Sequence, residues 1–364
     1  MHEAKAGSRT GSPRIHHQEV SMSASYFIGL DIHKKMIAYC IKALDGRLIA
    51  QGKVDADRKS LTEWAKSLPG PWVGAMEATL FTGWVYDFLL PYAVDLKVAH
   101  PEMLKAIIAA KNKNDRADAE RITDLLRINH LPECVMLPLE IRELRRILRY
   151  RNHLVRTAVT MHNKMAGLLM EVGAGYSKRR LRGRKYFHEL LEKVEEIPPS
   201  VKELLLLSRA GYEMFQAFQK RLVQSLRTNS LIQERVCRLM TIAGVGEVTA
   251  LTWTLEIGDS SRFSSIRQAI SYCGLCSAQR ESAGKEKRGP ISKKRNKHLQ
   301  TILVEAAKIA PLWNPQLAAV HQRELQKGNR NRATLAVARR LVAYMMAVEK
   351  NRKDFILREE RKAA

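Results

Sequence analysis

Acidic residues at four points of the chain have the types and spacing to work on a phosphodiester. Asp31 closes the run Tyr26-Phe-Ile-Gly-Leu-Asp31, Glu77 stands in Gly74-Ala-Met-Glu77-Ala-Thr, and Asp115 and Asp118 share Asn114-Asp115-Arg-Ala-Asp118. Mg²⁺ is a hard ion that takes oxygen ligands and keeps several waters, so a few carboxylates on different elements can hold a pair of ions around a phosphate. Asp115 and Asp118 are three residues apart, which on a helix puts both on one face. Asp31 follows apolar or small residues and Glu77 follows Trp72-Val-Gly-Ala-Met76, so each is expected at the C-terminal end of a buried strand. In open α/β sheets that edge is where sites are built. Taken singly, each acid reads as an ordinary strand-end or helix-start carboxylate; the constellation points to a metal site. His33 lies close by and could touch a metal or phosphate, but its side chain is expected to point the other way from Asp31 on a strand.

The elements that must position these acids are legible around them. Tyr26–Leu30, Ile37–Ala43 and Arg47–Val54 read as strands, the last two joined at an Asp45-Gly46 turn, a hairpin signal. An amphipathic stretch near Leu61–Leu68 precedes the Glu77 strand, Trp84–Leu90 reads as a helix and Asp95–Ala99 as another strand. The order βββαβαβα predicts a mixed sheet with flanking helices.

From Ile141 the period changes. Positions 141, 144, 148, 151, 155, 158, 162, 165, 169 and 172 follow a heptad, and eight of these ten are apolar. A second helical stretch is expected from Val201 to about Cys237, after Pro198-Pro199, so that the two form a helical hairpin or coiled coil. Arg151 and His162 interrupt the stripe, where they either set register or are tolerated by loose packing. An apolar stripe left exposed would be a liability, which predicts self-association through these helices, at Leu144 and Leu148 among others. The connecting segment carries Lys178, Arg179, Arg180, Arg182, Arg184 and Lys185, a block of like charge of the kind that binds nucleic acid.

The last third opens with Ile242-Ala-Gly244-Val-Gly246. A Gly-x-Gly turn between two helices, a helix-hairpin-helix-like element, can present backbone N–H groups to a phosphate. Lys285, Lys287, Arg288, Lys293, Lys294, Arg295 and Lys297 follow within thirteen residues, and Arg323–Arg340 adds six more cations. The net charge is +25 with a pI near 10.0. Residues 1–138 hold 18 Lys/Arg against 16 Asp/Glu, whereas residues 139–364 hold 44 against 21. The acid-bearing part is nearly neutral, and the grip on a polyanion falls to the remainder. No apolar run approaches the roughly 18 residues of a membrane span, and no signal peptide opens the chain. A soluble, cytoplasmic protein is expected. The five cysteines then read as reduced thiols, and the lone Cys273-Gly-Leu-Cys276 as core thiols rather than a zinc site.

These segments, in this order, resemble the DEDD transposases of the IS-one-ten insertion-sequence family, which include bridge-RNA-guided recombinases. The resemblance spans about residues 26–349. It is carried by Gly29-Leu-Asp31-Ile-His-Lys34, Met76-Glu77-Ala-Thr, Asn114-Asp115-Arg-Ala-Asp118, Ile242-Ala-Gly-Val-Gly246, the run from Cys273 to Gly284, and Gly289-Pro-Ile-Ser-Lys293. It implies a RuvC-like (RNase H-type) domain over 23–138 whose four acids bind Mg²⁺. It further implies a coiled coil over 139–237 and a mostly helical transposase domain over 238–349 that supplies a serine nucleophile. A basic, disordered extension (1–22, with Met22 an alternative start) and a charged tail (350–364) flank these.

Alignment on Gly274-Leu275 and Ala283-Gly284 puts the nucleophile at Ser282; from the residues alone Ser271, Ser277 and Ser292 are equal candidates, each otherwise a solvated loop serine. The family implies a dimer assembling to a tetramer, with sites shared between subunits, and a structured noncoding RNA that pairs with donor and target DNA. In a prokaryotic cell this would act at the nucleoid. Ser277 and Arg295 replace a usual proline and glycine in loops expected to face nucleic acid. The expected activity is RNA-guided DNA recombination through a covalent phosphoserine. The rivals are a Holliday-junction-resolvase-type nuclease using water, and a non-enzymatic nucleic-acid scaffold.

Overall fold

The structure, a computed structural model, describes residues 24–68, 70–107, 114–195, 197–282 and 285–357, with side chains between 279 and 288 outside the description. The expected disordered extension 1–22 and the end of the charged tail lie outside the described residues. The chain divides into two compact units, one up to Leu137 and one from Pro138 onward.

The first unit is built on a six-stranded mixed sheet. Its strands are β1 (Tyr26–Ile32), β2 (Met36–Ala43), β3 (Leu48–Asp55), β4 (Trp72–Glu77), β5 (Asp95–Ala99) and the short β6 (Glu133–Cys134), in spatial order β3-β2-β1-β4-β5-β6. β1, β4 and β5 run parallel, and β2, β3 and β6 are antiparallel to their neighbours. The Asp45-Gly46 turn forms as expected, with Gly46 at φ +92°. Helices α1 (Arg58–Ser67), α2 (Thr82–Leu89), α3 (Pro101–Ile107) and α4 (Asp115–Arg127) complete the unit. Alternation sorts each strand's residues to two faces. Ile28, Leu30, Ile32, Trp72 and Met76 pack with Leu61, Trp64, Val85 and Leu89 of α1 and α2. Phe27, Val73 and Ala75 pack instead with Ile122 and Leu126 of α4.

Helix α4 lies very close to β1 because Gly29 lacks a side chain. A Cβ there would fall 2.6 Å from the backbone nitrogen of Thr123. Lys42 of β2, almost fully buried, reaches both Glu120 and Asp124 at 2.9 Å and ties the same helix to the sheet.

The second unit begins with α5 (Leu139–Glu171), the predicted heptad helix. It continues through α6 (Arg184–Lys193), α7 (Pro199–Arg227), α8 (Gln233–Met240), α9 (Glu247–Ile257) and α10 (Ile266–Tyr272). A hairpin of β7 (Ser277–Ser282) and β8 (Lys285–Ile291) precedes α11 (Lys297–Ile309), α12 (Pro315–Leu325) and α13 (Arg330–Asn351). α5 and α7 are antiparallel: Leu144 and Leu148 share a core with Leu226, whereas Leu168 and Leu169 share one with Leu205. The stripe expected to drive self-association is therefore covered within the chain, because α7 folds back along it. Leu148 is completely buried and Leu144 nearly so. The predicted second helix is also two, ending at Arg227 and restarting at Gln233, because the Asn229 side chain and carbonyl satisfy the N–H groups of Leu231, Ile232 and Gln233.

The base of this hairpin is joined to the C-terminal helices by a buried charge. The Glu256 carboxylate, on α9, has no exposed side-chain surface. It accepts two hydrogen bonds of 2.8 Å from Arg149 of α5 and one of 2.8 Å from Asn296 at the start of α11. Burial alone would raise this carboxyl, yet the Arg149 fork and Asn296 hold it below the usual glutamate range. Among the described residues no helix is long and apolar enough to cross a membrane.

Candidate active site

Register brings the first two acids together. β1 and β4 pair in parallel with Leu30 opposite Met76, so Asp31 and Glu77 follow one step further at the C-terminal ends of adjacent strands. Both fall on the face covered by α4, since Gly29 and Ala75 precede each by two residues. Helix α4 starts at Asp115, capped by the Asn114 side chain on the N–H of Arg116 at 3.1 Å. The capped first turn carries Asp115 and Asp118 toward those strand ends. All four predicted acids line one open cleft of about 880 Å³.

Within the cleft, the His33 Nε2 lies 3.1 Å from Asp31 Oδ2 and 3.5 Å from Asp115 Oδ1. The expectation that His33 points away from Asp31 is wrong. The strand ends at Ile32, and His33, two residues beyond Asp31, falls on the same side. Lys53 of β3 donates to Asp115 Oδ2 at 3.1 Å, and Arg121 to Asp118 Oδ1 at 3.1 Å. Lys34 and Lys105 also border the cleft. Burial pushes the Asp31 carboxyl above its ordinary value even though His33 pulls it down, and the neighbouring Asp118 and Asp115 push the same way as burial. Asp115, more exposed, is held below the usual range chiefly by Lys53.

Two carboxylates and an imidazole form a donor set that fits a divalent cation, with Glu77 and Asp118 elsewhere on the cleft. Asp31, His33 and Asp115 offer ligand atoms that all lie within 4.8 Å of one another. The two carboxylates now bond to the exposed side chains of His33 and Lys53. Exposed ion pairs contribute only about 0.2–1 kcal/mol, so a divalent ion has little to displace. Spacing of two residues was the sequence signal for His33; nothing in the sequence singled out Lys53, which comes from a strand two places away.

The remaining predicted residues lie in the second unit. Lys178, Arg179, Arg180, Arg182, Arg184 and Lys185 are all exposed, but the segment is folded. Leu181 is fully buried, the Arg180 guanidinium stacks 4.4 Å from the Tyr186 ring, and Arg209 donates to the carbonyl oxygens of Leu181 and Arg182. Gly244 and Gly246 form the turn between α8 and α9. Gly244 (φ +94°) packs so closely on Ala310 that a Cβ would fall 2.4 Å from that residue's own, whereas a Cβ on Gly246 would meet nothing within 4 Å. Gly244 is thus fixed by packing, and Gly246 leaves the N-terminus of α9 open.

Ser282 ends β7 opposite Lys285, a strand end where a loop was expected, and its side chain lies outside the described ones, as do those of Lys285, Lys287 and Arg288. The other candidate serines are described. Ser271 and Ser277 are exposed, and the Ser292 hydroxyl accepts from the Lys294 N–H at 3.1 Å. Lys293, Lys294 and Arg295 follow β8 on an exposed turn, and Lys297, also exposed, opens α11.

A transposase family model of the DEDD IS110 type matches residues 28–173, spanning all four acids. A second, described as the transposase IS116/IS110/IS902 family, matches residues 236–322, from α8 into α12. The chain is 25% identical to a probable family 20 transposase of Pseudomonas aeruginosa over 77% of its length and 82% of the relative's. It is 27% identical to the transposase for insertion sequence element IS1111A of Coxiella burnetii over 79% and 78% of the two chains. A similar match, 25% over 78% and 83%, is to the transposase for element IS1328 of Yersinia enterocolitica. With the two family models in this order along one chain and the acids of the first converging on one cleft, the protein belongs to the IS110 family of DEDD transposases.

Proposed function

We propose that this transposase cuts and rejoins DNA with Asp31, Glu77, Asp115 and Asp118 holding Mg²⁺, two ions in the full site, and Ser282 as the nucleophile, the acids of one subunit acting with the serine of another. The observation that supports it most is the meeting of four carboxylates from β1, β4 and α4 in one cleft. A bound divalent ion supplies Lewis-acid polarisation of the scissile phosphate. The protein's own part is to fix the acids: Gly29 admits α4, Lys42 anchors it, and the β1–β4 register aligns Asp31 with Glu77. The Ser282 hydroxyl attacks phosphorus, its proton passing to a base. A serine–phosphate bond forms as the strand's P–O bond breaks, and the departing oxygen takes up a proton. Attack by a strand hydroxyl reverses the exchange, so no ATP is needed.

On this reading residues 23–138 are the RuvC-like catalytic part, 139–237 the coiled coil and 238–349 the serine-bearing part, with a structured guide RNA choosing donor and target DNA. The exposed cations at the hairpin tip and after β8 support a nucleic-acid surface. The setting is the bacterial cytoplasm.

The test is a suicide DNA substrate nicked near the cleavage point. It should trap a denaturation-resistant phosphoserine adduct in the peptide containing Glu281-Ser282, and Ser282→Ala should lose adduct and recombination while keeping DNA affinity. Free ends without an adduct would give the nucleophile's role to water, and an adduct on Ser277 or Ser292 would move its address.

The oligomer is expected to use a surface other than the heptad seam. On α7, Leu204, Leu207, Met214 and Phe218 are each between 45% and 63% exposed, a second apolar stripe on the hairpin's outside. Leu207→Glu with Phe218→Glu should lower the oligomeric state in light scattering without changing the thermal melt. Leu148→Glu, which puts a charge in the core, should unfold the chain. A wild-type chain that stays monomeric with its RNA and DNA would contradict shared sites.

A further inference from the structure

We infer that the groove between α12 and α13 is a binding site for the phosphodiester backbone of duplex DNA, a proposal that rests on the transposase reading and extends it to residues beyond both matched families' segments. Five cations line this groove: Arg323, Lys327, Arg332, Arg339 and Arg340. The only carboxylate among its lining is Glu324, which meets Lys327 at 2.8 Å, Arg332 at 3.7 Å and Arg323 at 4.0 Å. One negative charge shared among three cations, with two more alongside, leaves the groove strongly positive.

Folding stability accounts for only part of this arrangement: Arg323 stands in the last turn of α12, where a cation favours the helix dipole, but the others have no such role. Arg330 and Arg332 stand in the first turn of α13, which contains no acid, and cations at a helix N-terminus oppose its dipole. Arg323, Lys327, Arg332 and Arg340 are solvent-exposed, where ion pairs contribute little. A polyanion laid along the groove would meet this charge and release counterions.

The groove is also held in shape. Gly328 takes φ +89° between the helices, and the Asn329 side chain caps α13 by accepting from the Arg332 N–H at 3.1 Å. Tyr344 of α13 donates to Gln316 of α12 at 2.9 Å. Arg339 donates from Nε to the Leu275 carbonyl at 2.8 Å, which fixes its guanidinium at the groove's edge.

The lining decides the ligand. Apart from the ionic residues it is aliphatic, with no aromatic ring, hydroxyl or amide. Unpaired nucleic acid is held chiefly by stacking its bases on aromatic rings, of which the lining has none. Cations crowded together without amide, hydroxyl or carboxylate partners for base edges beyond Glu324 suit contact with the phosphate backbone.

The test uses the full chain and fluorescence anisotropy with a 30-base-pair random-sequence DNA duplex and an RNA duplex of the same sequence, each titrated across salt concentrations. Arg332→Gln with Arg340→Gln keeps helix-forming side chains and removes two exposed charges. Its plot of log affinity against log salt for DNA should be shallower by about 1.8, from roughly 0.9 per lost phosphate contact, with affinity at low salt at least tenfold weaker and an unchanged thermal melt. Lys59→Gln with Lys66→Gln, the same charge loss on exposed positions of α1, should leave the slope unchanged. An equal loss in that control, no loss in the groove variant, or a loss confined to the RNA duplex would each overturn the assignment. A wild-type chain that binds no DNA would sink the transposase reading itself, whereas tight wild-type binding with an indifferent groove variant would sink only the groove.

Discussion

Asp31→Asn is expected to abolish DNA strand cleavage while leaving DNA affinity and the thermal melt unchanged. The change keeps the shape and removes one ligand charge from a position where burial already presses on the carboxylate. A metal ion at a phosphoryl centre is worth several kcal/mol in the transition state, so losing its best-buried ligand should slow cleavage by about a thousandfold or more. Glu77→Gln should behave alike, because the β1–β4 register sets it beside Asp31. Asp118 tests the edge of the site. Its carboxylate is already engaged by Arg121, and Asp118→Asn with full cleavage would remove it from the ligand set without disturbing the other three. Cleavage assayed on a labelled duplex, with affinity measured in parallel, separates loss of chemistry from loss of binding.

Arg149→Ala should cost about 3–5 kcal/mol of stability, the usual penalty for stripping the partner from a buried charge. Glu256 has no exposed side-chain surface and would keep only Asn296. The reverse change, Glu256→Gln, should cost less, since nearly half of the Arg149 side chain is exposed and water can solvate it. The folded Glu256 carboxyl lies below its unfolded value. Its contribution is therefore present above the ordinary glutamate range, near pH 4.3, and is lost as pH falls through the lower folded value. Chemical denaturation at pH 7 and at acid pH checks both statements, and equal stability of Arg149→Ala and wild type would refute the account of this joint.

Much of the first unit could be read from the chain because its signals are local. Buried strands ending in a lone acid at Asp31 and Glu77, a capped helix start at Asn114-Asp115, and a strand at Asp95–Ala99 are matters of residue order, and the sheet follows from them. Partners across the chain are less legible. The heptad of α5 said that its face is covered, and could not say by what; α7 of the same chain covers it. The β7–β8 hairpin is not legible in the sequence because Ser277–Ile291 is rich in charge and lacks the alternation that marks a strand. His33 sits on the side of Asp31 because residues two apart along an extended chain share a face, which runs against the opposite side expected for it. The seats of Lys53 and Arg149 depend on elements distant in sequence, which no spacing rule reaches.

A divalent-metal centre built by β1, β4 and α4 is tested most directly by metal uptake. Mn²⁺ titrated into the full chain with a DNA duplex present, and followed by loss of the free-ion electron paramagnetic resonance signal, should be bound by the wild type and released by Asp31→Asn and by Glu77→Gln. Uptake by either variant equal to that of the wild type, or none by the wild type, would contradict it.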